Sequence, residues 1–425
     1  MKVLLFITDI FPFGKGEPFI ENEVPFLHNA FDRVLIIPVN PRRDRSFCRE
    51  HSGCEIYCYE NSLFLKDIPS IILYSIHLVF SIKFYDELFQ TIRITHNPLY
   101  FLKTAFHWVY TGVLANKNSK KISSLISSGD QIYIYSYWLS YHALIAVEFL
   151  KGDKRVKRRI SRAHGFDLYY RFKSYPPLHH YLLDTLDYVL PCSIHGTHYL
   201  QELHRQFAQK CICSYLGTMD HGTQIFFKSD CMRIVSVSNV NRIKRLDRII
   251  DALSITNAPV VWTHYGNGDL MEEIQQYAKA KLNSSNITVI WKGRVSNKDL
   301  MNELQLTCFD LMVNVSDSEG LPVSLMETMS LGLPCFATDV GGTSELVKDH
   351  ENGYLVSPEI ATNKLASLLS HFTSIQDELI IMRTNARSKW EKMFSAEKNY
   401  PSFIKQYLME DADELSDTNK KSFNE

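Results

Sequence analysis

The amino-acid sequence predicts an α/β protein of two domains, each built on a parallel β-sheet with helices on both faces. Short runs rich in β-branched and aromatic residues alternate with helix-length stretches in both halves of the chain. These runs are almost continuously apolar, which is typical of strands buried on both faces. The 425 residues allow two or three domains at roughly 150 residues each.

The first half contains a long helix-like region and five strand-like runs. Residues 60–127 are apolar and aromatic with few strand signals, so we expect helices packed on the first domain. The N-terminal segment MKVLLFITDIFPFG has one lysine and no small-residue cleavage site, which favours a β-strand over a signal peptide. The predicted strands are VLLFIT at 3–8, RVLIIPV at 33–39, QIYIYSY at 131–137, RRISRAH at 158–164 and DYVLPCS at 187–193.

The second half repeats the pattern, and turn residues cluster at 217–231, where the halves join. Its predicted strands are RIVSVS at 233–238, VVWTHYG at 260–266, ITVIW at 287–291, DLMVNVS at 310–316 and CFAT at 335–338. We therefore predict a first domain over 1–222, a second over 223–395, a helix over 396–410 that crosses back to the first domain, and a polar tail over 411–425.

Composition argues against several classes of protein. Lys and Arg number 46 and Asp and Glu 47, a balance that disfavours a dedicated nucleic-acid binder. The nine cysteines include no CxxC pair, which indicates free thiols in a reducing compartment and no zinc ribbon. The longest uncharged stretch, 68–82, is short of the ~20 apolar residues of a spanning helix. We predict a cytoplasmic protein without a metal site, with peripheral association at the inner face of the membrane as an open alternative.

The loop and helix after the 310–316 strand carry the clearest ligand-binding pattern. Pro322 suits the first position of a helix and Gly332 suits the stop just past its end. The N–H groups of Val323 and Ser324 would then form an anion site at the helix N-terminus. Gly320 would let a ligand approach the backbone.

Glu327 lies in the same predicted helix, on a stripe shared with the apolar residues Val323 and Met326. A carboxylate in such a place is costly unless it is hydrogen-bonded. The hydroxyls of a ribose would satisfy it. The alternative is a carboxylate that caps a neighbouring backbone segment.

The stretch EGLPVSLMETMSLGLP, which starts at Glu319 and is followed by the glycine pair Gly341-Gly342, resembles the retaining GT-B glycosyltransferases of family 4, or group 1. Their signature is a pair of glutamates separated by seven residues, here Glu319 and Glu327. The resemblance implies a GT-B fold, with two Rossmann-like domains around a deep cleft. It also implies that Glu319 binds hydroxyls of the transferring sugar. The donor-binding residues implied in this segment are Gly320, Leu321, Pro322, Val323, Ser324 and Glu327.

The resemblance continues upstream. SVSNVNRIKRLDRIIDAL at 236–253 is similar to the family's strand-turn-helix, with Lys244 at the position of the diphosphate-binding lysine. Asn239 stands where the family usually has arginine, so Arg242 is the candidate second basic contact. HYGNGDL at 264–270 is similar to the Gly-x-Gly turn, and WKGRVSNKDL at 291–300 to the loop beside the base. The donor-binding residues implied here are Asn239, Arg242, Gly266, Gly268, Arg294 and Val295.

Two segments of the first half resemble the family more loosely. FPFGKGEPFIENEVPFL at 11–27 is similar to its glycine-rich loop. Gly16 would meet the donor, Gly14 the acceptor, and Glu17 an acceptor hydroxyl; a turn with positive φ is the alternative for both glycines. In RAHGFDLY at 162–169, His164 would face the donor sugar, with a purely structural histidine as the alternative.

A basic run, KGDKRVKRRISR, occupies residues 151–162. One interpretation is a solvated edge before a strand. The other is a contact with an anionic surface or a pyrophosphate-linked lipid, which with the helices of 60–127 would form a membrane-proximal face. Nucleic-acid binding is the weaker interpretation because the net charge is close to zero.

The resemblance implies transfer of a sugar from a nucleotide-sugar to an acceptor hydroxyl with retained configuration, without a cofactor or a required metal. The acceptor would be a carbohydrate or a polyprenyl-diphosphate-linked glycan of surface-polysaccharide synthesis. Lys244 and the helix N-terminus would stabilise the leaving diphosphate. Since no carboxylate nucleophile is evident, front-face transfer is favoured over double displacement. The alternatives are a nucleotide-sugar epimerase, a phosphorylase or a catalytically silent partner subunit.

Overall fold

The computed structural model describes residues 1–41, 47–170, 176–282 and 286–410. The chain divides into two compact units, Met1–Ser214 together with the chain from Tyr400, and Tyr215–Asn399. The division thus falls before residue 222, where the sequence suggested a boundary. The predicted polar tail, 411–425, lies outside the described residues.

The first unit contains a six-stranded parallel sheet in the order β3-β2-β1-β4-β5-β6. Five strands coincide with predicted runs, whereas the edge strand β3 was missed because two residues carry no periodic pattern. The strands are β1 (Lys2–Thr8), β2 (Arg33–Pro38), β3 (Glu55–Ile56), β4 (Gln131–Ser136), β5 (Val156–Ala163) and β6 (Tyr188–Pro191).

Helices cover both faces of this sheet, and α2 to α4 occupy the region predicted to be helical. The helices are α1 (Val24–Ala30), α2 (Ile68–Val79), α3 (Ile82–Thr95), α4 (Pro98–Ser124), α5 (Tyr141–Glu148), α6 (His179–Thr185) and α7 (Ile194–Leu203). Strand β1 shows why its sequence is apolar throughout. Leu4 and Phe6 enter one core cluster while Val3, Leu5 and Ile7 enter the cluster on the opposite face.

The second unit contains another six-stranded parallel sheet, in the order β12-β11-β10-β7-β8-β9. Its strands are β7 (Met232–Val237), β8 (Val260–Tyr265), β9 (Ile287–Gly293), β10 (Leu311–Asn314), β11 (Cys335–Thr338) and the unpredicted edge strand β12 (Gly353–Val356). Its helices are α8 (Leu246–Ser254), α9 (Met271–Lys281), α10 (Asn297–Leu306), α11 (Val323–Ser330), α12 (Thr343–Leu346), α13 (Ala361–Ser370) and α14 (Phe372–Met393).

The two sheets share one topology. Counted from the first strand of each unit, the order is 3-2-1-4-5-6, that of a doubly wound Rossmann fold. The chain reverses direction across the sheet between β1 and β4 in the first unit, and between β7 and β10 in the second. Ligands of such folds bind outside the carboxyl ends of the strands at this switch point. The loops after these four strands are therefore where a site is expected.

The C-terminal segment packs on the first unit. Helix α15 (Ala396–Phe403) continues into a π-helical turn, Ile404–Met409. Phe403, Ile404 and Leu408 join the core cluster that contains Leu4.

By length and composition, none of the described helices could cross a membrane on its own. One bent pair, Leu65–Val79 with Ile82–Thr95, meets these criteria together, with 74° between its arms.

Candidate functional site

The switch point of the second unit brings a lysine and a glutamate together. Lys244 lies in the 3₁₀ turn Arg242–Lys244 after β7, and Glu319 lies in the loop after β10. Lys244 Nζ donates a hydrogen bond to Glu319 Oε1 at 2.6 Å. The side chains are 24% and 10% exposed, so the pair is shielded but within reach of a ligand. An ammonium group at this place can stabilise charge on a phosphate.

Asn241 positions the lysine. Its side-chain oxygen accepts hydrogen bonds from the backbone N–H groups of Ile243 and Lys244, at 3.1 and 3.2 Å, and caps the 3₁₀ turn. Asn239 and Arg242, the other residues predicted here, are both exposed.

Glu319 is oriented by three donors on one oxygen. Besides Lys244, Asn314 Nδ2 and Ser316 Oγ donate to Oε1, at 3.1 and 2.7 Å. No residue in the described parts of the chain donates to Oε2 of this carboxylate. Oε2 is thus the oxygen available to a ligand hydroxyl.

The glycine pair of the motif shapes the same loop. Gly341 has φ 56°, and a Cβ atom built on it would lie 1.8 Å from the carbonyl oxygen of Glu319. The N–H of Gly342 donates to the carbonyl of Gly320 at 2.8 Å. A residue with a side chain at 341 would therefore displace the Glu319 loop.

Helix α11 starts one residue later than predicted. Pro322 has extended backbone angles and is the N-cap, and the helix begins at Val323. Within the described chain, nothing accepts a hydrogen bond from the N–H of Val323 or Ser324, so these groups and the helix dipole can receive an anion. Leu321 is buried. Gly332 follows the helix with φ 72°, as its predicted role as a stop requires.

Glu327 is buried on α11, as its apolar stripe indicated. It accepts a hydrogen bond from Asn297 Nδ2 at 2.6 Å. Burial raises the pKa of Glu327 to about 7, and the Asn297 bond lowers it in part. The observed partner is thus a side-chain amide rather than the backbone segment of the capping alternative.

Asn297 belongs to the loop predicted to lie beside the nucleotide base. Ser296 caps α10 by accepting from the N–H of Asp299 at 3.1 Å, which fixes Asn297 at the start of the helix. In the same loop Arg294 is exposed and Val295 is half-buried.

Gly266 and Gly268 have a structural reason of their own. A Cβ atom on Gly266 would lie 1.8 Å from the carbonyl oxygen of Ser238, and one on Gly268 would lie 2.3 Å from that of Val240. These glycines let the loop after β8 pack against the loop after β7. They therefore contribute to a donor site indirectly, by allowing the backbone of the loop after β7 to take its position.

In the first unit, Glu17 builds the glycine-rich loop. Its carboxylate accepts hydrogen bonds from the N–H groups of Asp9, Ile10 and Phe11, at 2.7–3.0 Å, and from Trp138 Nε1. Four donors occupy the roughly four acceptor positions of a carboxylate, so Glu17 has no position left for an acceptor hydroxyl. This observation argues for a loop-shaping role in place of the predicted one.

The two glycines of this loop differ. Gly14 has φ 60°, as the turn alternative requires. At Gly16 the constraint is space, since a Cβ atom would lie 2.6 Å from Ile10 Cδ1.

His164 lies at the carboxyl end of β5, buried among aromatic rings. Its Nε2 is 3.1 Å from the carbonyl oxygen of Tyr137, which only accepts, so Nε2 carries the proton. The rings of Tyr137 and Trp138 are each centred 4.8 Å from the imidazole. Burial, with the charge of Arg162, lowers the pKa of His164 to about 3. The side chain is therefore a neutral hydrogen-bonding group at neutral pH.

The arginines of the basic run are mostly engaged within the first unit. Arg155 binds Asp153 at 2.7 Å, and Arg159 donates to the carbonyls of Phe149 and Leu150 at 3.0 Å. Arg158 is buried and donates to the Glu410 carbonyl. The exposed cations of residues 151–159 are the lysines 151, 154 and 157. The run is therefore mainly a packed strand rather than an open cationic surface.

Sequence reasoning missed the side chains that hold the predicted residues in place. These side chains belong to a turn, a helix start, a strand end and a loop, and their spacing gives no sign of the carboxylates and amides they reach. They are Asn241, Asn297, Asn314 and Ser316. Among the residues that the structure describes, no group of three His, Cys, Asp or Glu side chains could hold a metal ion.

Part of the chain is similar in sequence to known proteins. Residues 223–389 match the family model described as "Glycosyl transferases group 1". The amylovoran biosynthesis glycosyltransferase AmsK of Erwinia amylovora is 28% identical over 169 residues, 39% of this chain and 41% of the relative. The UDP-Gal:alpha-D-GlcNAc-diphosphoundecaprenol alpha-1,3-galactosyltransferase of Escherichia coli is 26% identical over 150 residues, 35% of this chain and 36% of the relative. The matched segments thus span about two fifths of these relatives.

Similarity of structure extends over both units. Anabaena Alr3699/HepE in complex with UDP superposes with a TM-score of 0.67 at 15% identity, covering 95% of this chain and 99% of that one. This likeness concerns the fold, and it confirms the predicted GT-B class. The segment that matches the group 1 glycosyl transferases, residues 223–389, contains Lys244, Glu319 and Glu327.

Proposed function

We propose that the protein is a retaining glycosyltransferase that moves a sugar from a nucleoside-diphosphate sugar to an acceptor hydroxyl. The observation that carries the proposal is the Lys244–Glu319 pair at the switch point, beside the open N-terminus of α11. The family match and the UDP in the Anabaena structure support a nucleotide-sugar donor, with UDP as the first candidate.

In this mechanism, breaking the glycosidic bond places negative charge on the leaving diphosphate. Lys244 and the N–H groups of Val323 and Ser324 receive that charge. Because these donors are held in place before the reaction, they need little reorganisation as the charge develops. Oε2 of Glu319 binds a hydroxyl of the transferring sugar, while its Oε1 stays on Lys244.

The carboxylate of Glu327, which is oriented by Asn297, accepts hydrogen bonds from the ribose hydroxyls of the donor. His164 orients the transferring sugar as a neutral group, with Nδ1 as its acceptor because Nε2 donates to Tyr137. We propose front-face transfer, because no carboxylate has been assigned as a nucleophile. The acceptor hydroxyl attacks on the side from which the diphosphate leaves, and its proton passes to the oxygen of the leaving diphosphate.

We propose a lipid-linked or growing surface-polysaccharide acceptor. The names of the Erwinia and Escherichia relatives support this class of acceptor. Because such a substrate lies at a membrane, the proposal includes peripheral contact of the protein with the inner face of that membrane. The basic run of residues 151–159 was the candidate for this contact in the sequence. It includes no metal or cofactor.

The test is incubation of the full chain with radiolabelled UDP-sugars and a polyprenyl-diphosphate-linked sugar, with and without chelator. Label in the lipid product, with its configuration retained by NMR, is the expected result. Conversion of the UDP-sugar without transfer would identify an epimerase. UDP binding without turnover, across all donors and acceptors tried, would identify a silent partner. Activity that chelator abolishes and Mg²⁺ restores would contradict the metal-free mechanism.

A further inference from the structure

We propose that helices α2 and α3, with the first turns of α4, dock the protein on a lipid bilayer through their exposed apolar side chains. These side chains, within residues 64–106, are here called the apolar helical surface. Large apolar residues stand exposed on all three helices and in the turn between α2 and α3, where Phe80 is 84% exposed. Those on the helices include Leu73, Ile82, Phe89 and Phe106. This inference specifies the surface that makes the proposed membrane contact. It rests on the proposed function only for the reason why the protein would bind a membrane, which is access to a lipid-linked acceptor.

The helices that carry this surface are anchored on their other side. Glu87 of α3 is fully buried and accepts a hydrogen bond from the N–H of Tyr181 at 2.9 Å. Phe84 packs edge-on against Phe101 of α4, with ring centres 5.1 Å apart. The apolar helical surface is therefore the outer face of helices that are fixed in place, not a loosely packed segment.

Helix α2 lacks the polar face of an ordinary surface helix. It has no charged residue over Ile68–Val79. Ile68, Ile72 and Ile76 recur every fourth residue along its exposed side, while Leu78 lies on its buried side. A helix that is apolar on both sides requires an apolar partner on its outer side. At 12 residues it is too short to span a bilayer and suits insertion at the interface.

Charge favours a bilayer over a second copy of the chain as that partner. Over residues 64–107, all described by the structure, Lys66, Lys83, Arg93 and Lys103 are exposed against one exposed carboxylate, Asp86. Lys83 forms an ion pair with Asp184 at 2.6 Å, so the excess of positive charge rests on the other three cations. Cations beside an apolar face attract anionic lipid headgroups, whereas two copies would bring like charges together. Lys66 also lies with its Nζ 5.7 Å from the Phe64 ring centre, an arrangement that keeps a charge at the edge of an apolar face.

A cavity among the same helices has matching chemistry. It measures about 310 Å³ and is lined largely by apolar side chains, including Ile71, Leu78 and Phe106. A lipid acyl chain suits such a lining. The basic run of residues 151–159, in contrast, has most of its arginines engaged and offers mainly lysines for a surface contact.

The experiment is flotation of the full chain with vesicles of phosphatidylcholine and phosphatidylglycerol. The test variant carries Leu73→Ser, Ile76→Ser, Phe80→Ser and Phe89→Ser. The matched control carries Ile255→Ser, Leu306→Ser, Ile360→Ser and Ile381→Ser, which are exposed apolar residues of the second unit. We expect the wild type and the control to float, and the vesicle-bound fraction of the test variant to fall at least about tenfold. Melting temperatures of both variants verify that they fold.

Equal flotation of the test variant and wild type would overturn the proposal. So would loss of flotation in a Lys154→Ala, Lys157→Ala variant alone, which would assign the contact to the basic run. A wild type that fails to float but forms a dimer that the test variant dissociates, by light scattering, would assign the surface to a second copy. None of these measurements uses sugar transfer. Failure of the docking proposal would therefore leave the transferase proposal intact, and failure of the transferase proposal would leave the docking proposal intact.

Discussion

Lys244 and Glu319, 75 residues apart in sequence, are joined by a 2.6 Å hydrogen bond between Nζ and Oε1. Each was expected to contact a different part of the donor, the diphosphate and the sugar. Their pairing means that the ammonium charge is balanced before any donor binds. It also means that a change in one residue alters the position of the other, so the effects of the two substitutions will not add.

Lys244→Ala should lower turnover roughly hundredfold or more, because one charged donor to the leaving group is lost. The melting temperature should stay within a few degrees of wild type, since the lysine side chain is partly exposed and has little packing role. Steady-state kinetics and thermal unfolding of the same preparation provide the measurement. Near-normal turnover would remove Lys244 from the diphosphate site.

The fold was predictable because strands buried on both faces leave a continuous apolar run, as in β1. The two edge strands β3 and β12 were missed because they are short and their sequences show little alternation. Such strands form only by pairing with a neighbouring strand. Glu327 was predictable since a carboxylate on an apolar stripe needs a partner. Its partner Asn297 was not predictable, because the contact joins two helices, and the periodicity of the sequence does not reveal how these helices pack. Glu17 likewise looks like a ligand residue until its four donors are seen.

The two glutamates of the motif should fail in different ways. Glu327 is proposed to hold the ribose, which does not react, so Glu327→Ala should weaken UDP binding about tenfold or more in calorimetry. Glu319→Gln should leave UDP affinity within about twofold and lower turnover roughly hundredfold, because its contacts involve the transferring sugar. If Glu327→Ala binds UDP as tightly as wild type, the ribose assignment is wrong.

The raised pKa of Glu327, about 7, predicts a pH dependence of stability. An unfolded glutamate titrates at ~4.3. Between these pH values the folded protein retains a proton that the unfolded chain has released, so the free energy of unfolding decreases as pH rises through this window. Glu327→Gln should remove this component. Thermal unfolding from about pH 4.5 to 7.5 would show a flatter profile for the variant, and identical profiles would contradict the burial of an ionisable group.

Binding should show the opposite trend, since the ionised carboxylate is the better acceptor for ribose hydroxyls. We expect UDP affinity to rise with pH through about 7 in the wild type relative to Glu327→Gln. The comparison cancels the titration of the UDP phosphates. Asn297→Ala should move the inflection to higher pH, because the Asn297 bond lowers the Glu327 pKa. An unmoved inflection would exclude Asn297 as a positioning residue.

Gly341→Ala should disable the site by displacing the Glu319 loop. The new Cβ would meet the Glu319 carbonyl oxygen at 1.8 Å, in addition to the strain of an alanine at φ 56°. Gly152→Ala is the matched control, since Gly152 also has positive φ, 80°, with nothing within 4 Å of its Cβ position. Both variants should lose about 1 kcal/mol to backbone strain, whereas Gly341→Ala alone should lose most of its turnover. Equal kinetics would show that the loop tolerates the displacement.

The packed role of the basic run can be tested at Arg162. This side chain is fully buried, donates to Tyr135 Oη at 2.6 Å and to the Ser214 carbonyl at 2.9 Å, and lies 3.4 Å from Glu23. Its guanidinium carbon is 4.2 Å from the ring centre of Phe403, in the C-terminal helix. Arg162→Met would leave the buried Glu23 carboxylate without its cation, which typically costs about 3–5 kcal/mol.

Lys157→Met, at an exposed position of the same strand, is the control and should change stability by less than about 0.5 kcal/mol. Denaturant unfolding measures both variants. Hydrogen exchange of the peptide covering 400–410 reports the C-terminal helix directly, and it should accelerate in Arg162→Met only. Adding Glu23→Gln to Arg162→Met should recover part of the loss, because the unpaired buried charge is then gone. If Arg162→Met behaves like Lys157→Met in both measurements, the run is a solvated edge, and the C-terminal helix is held by its apolar contacts alone.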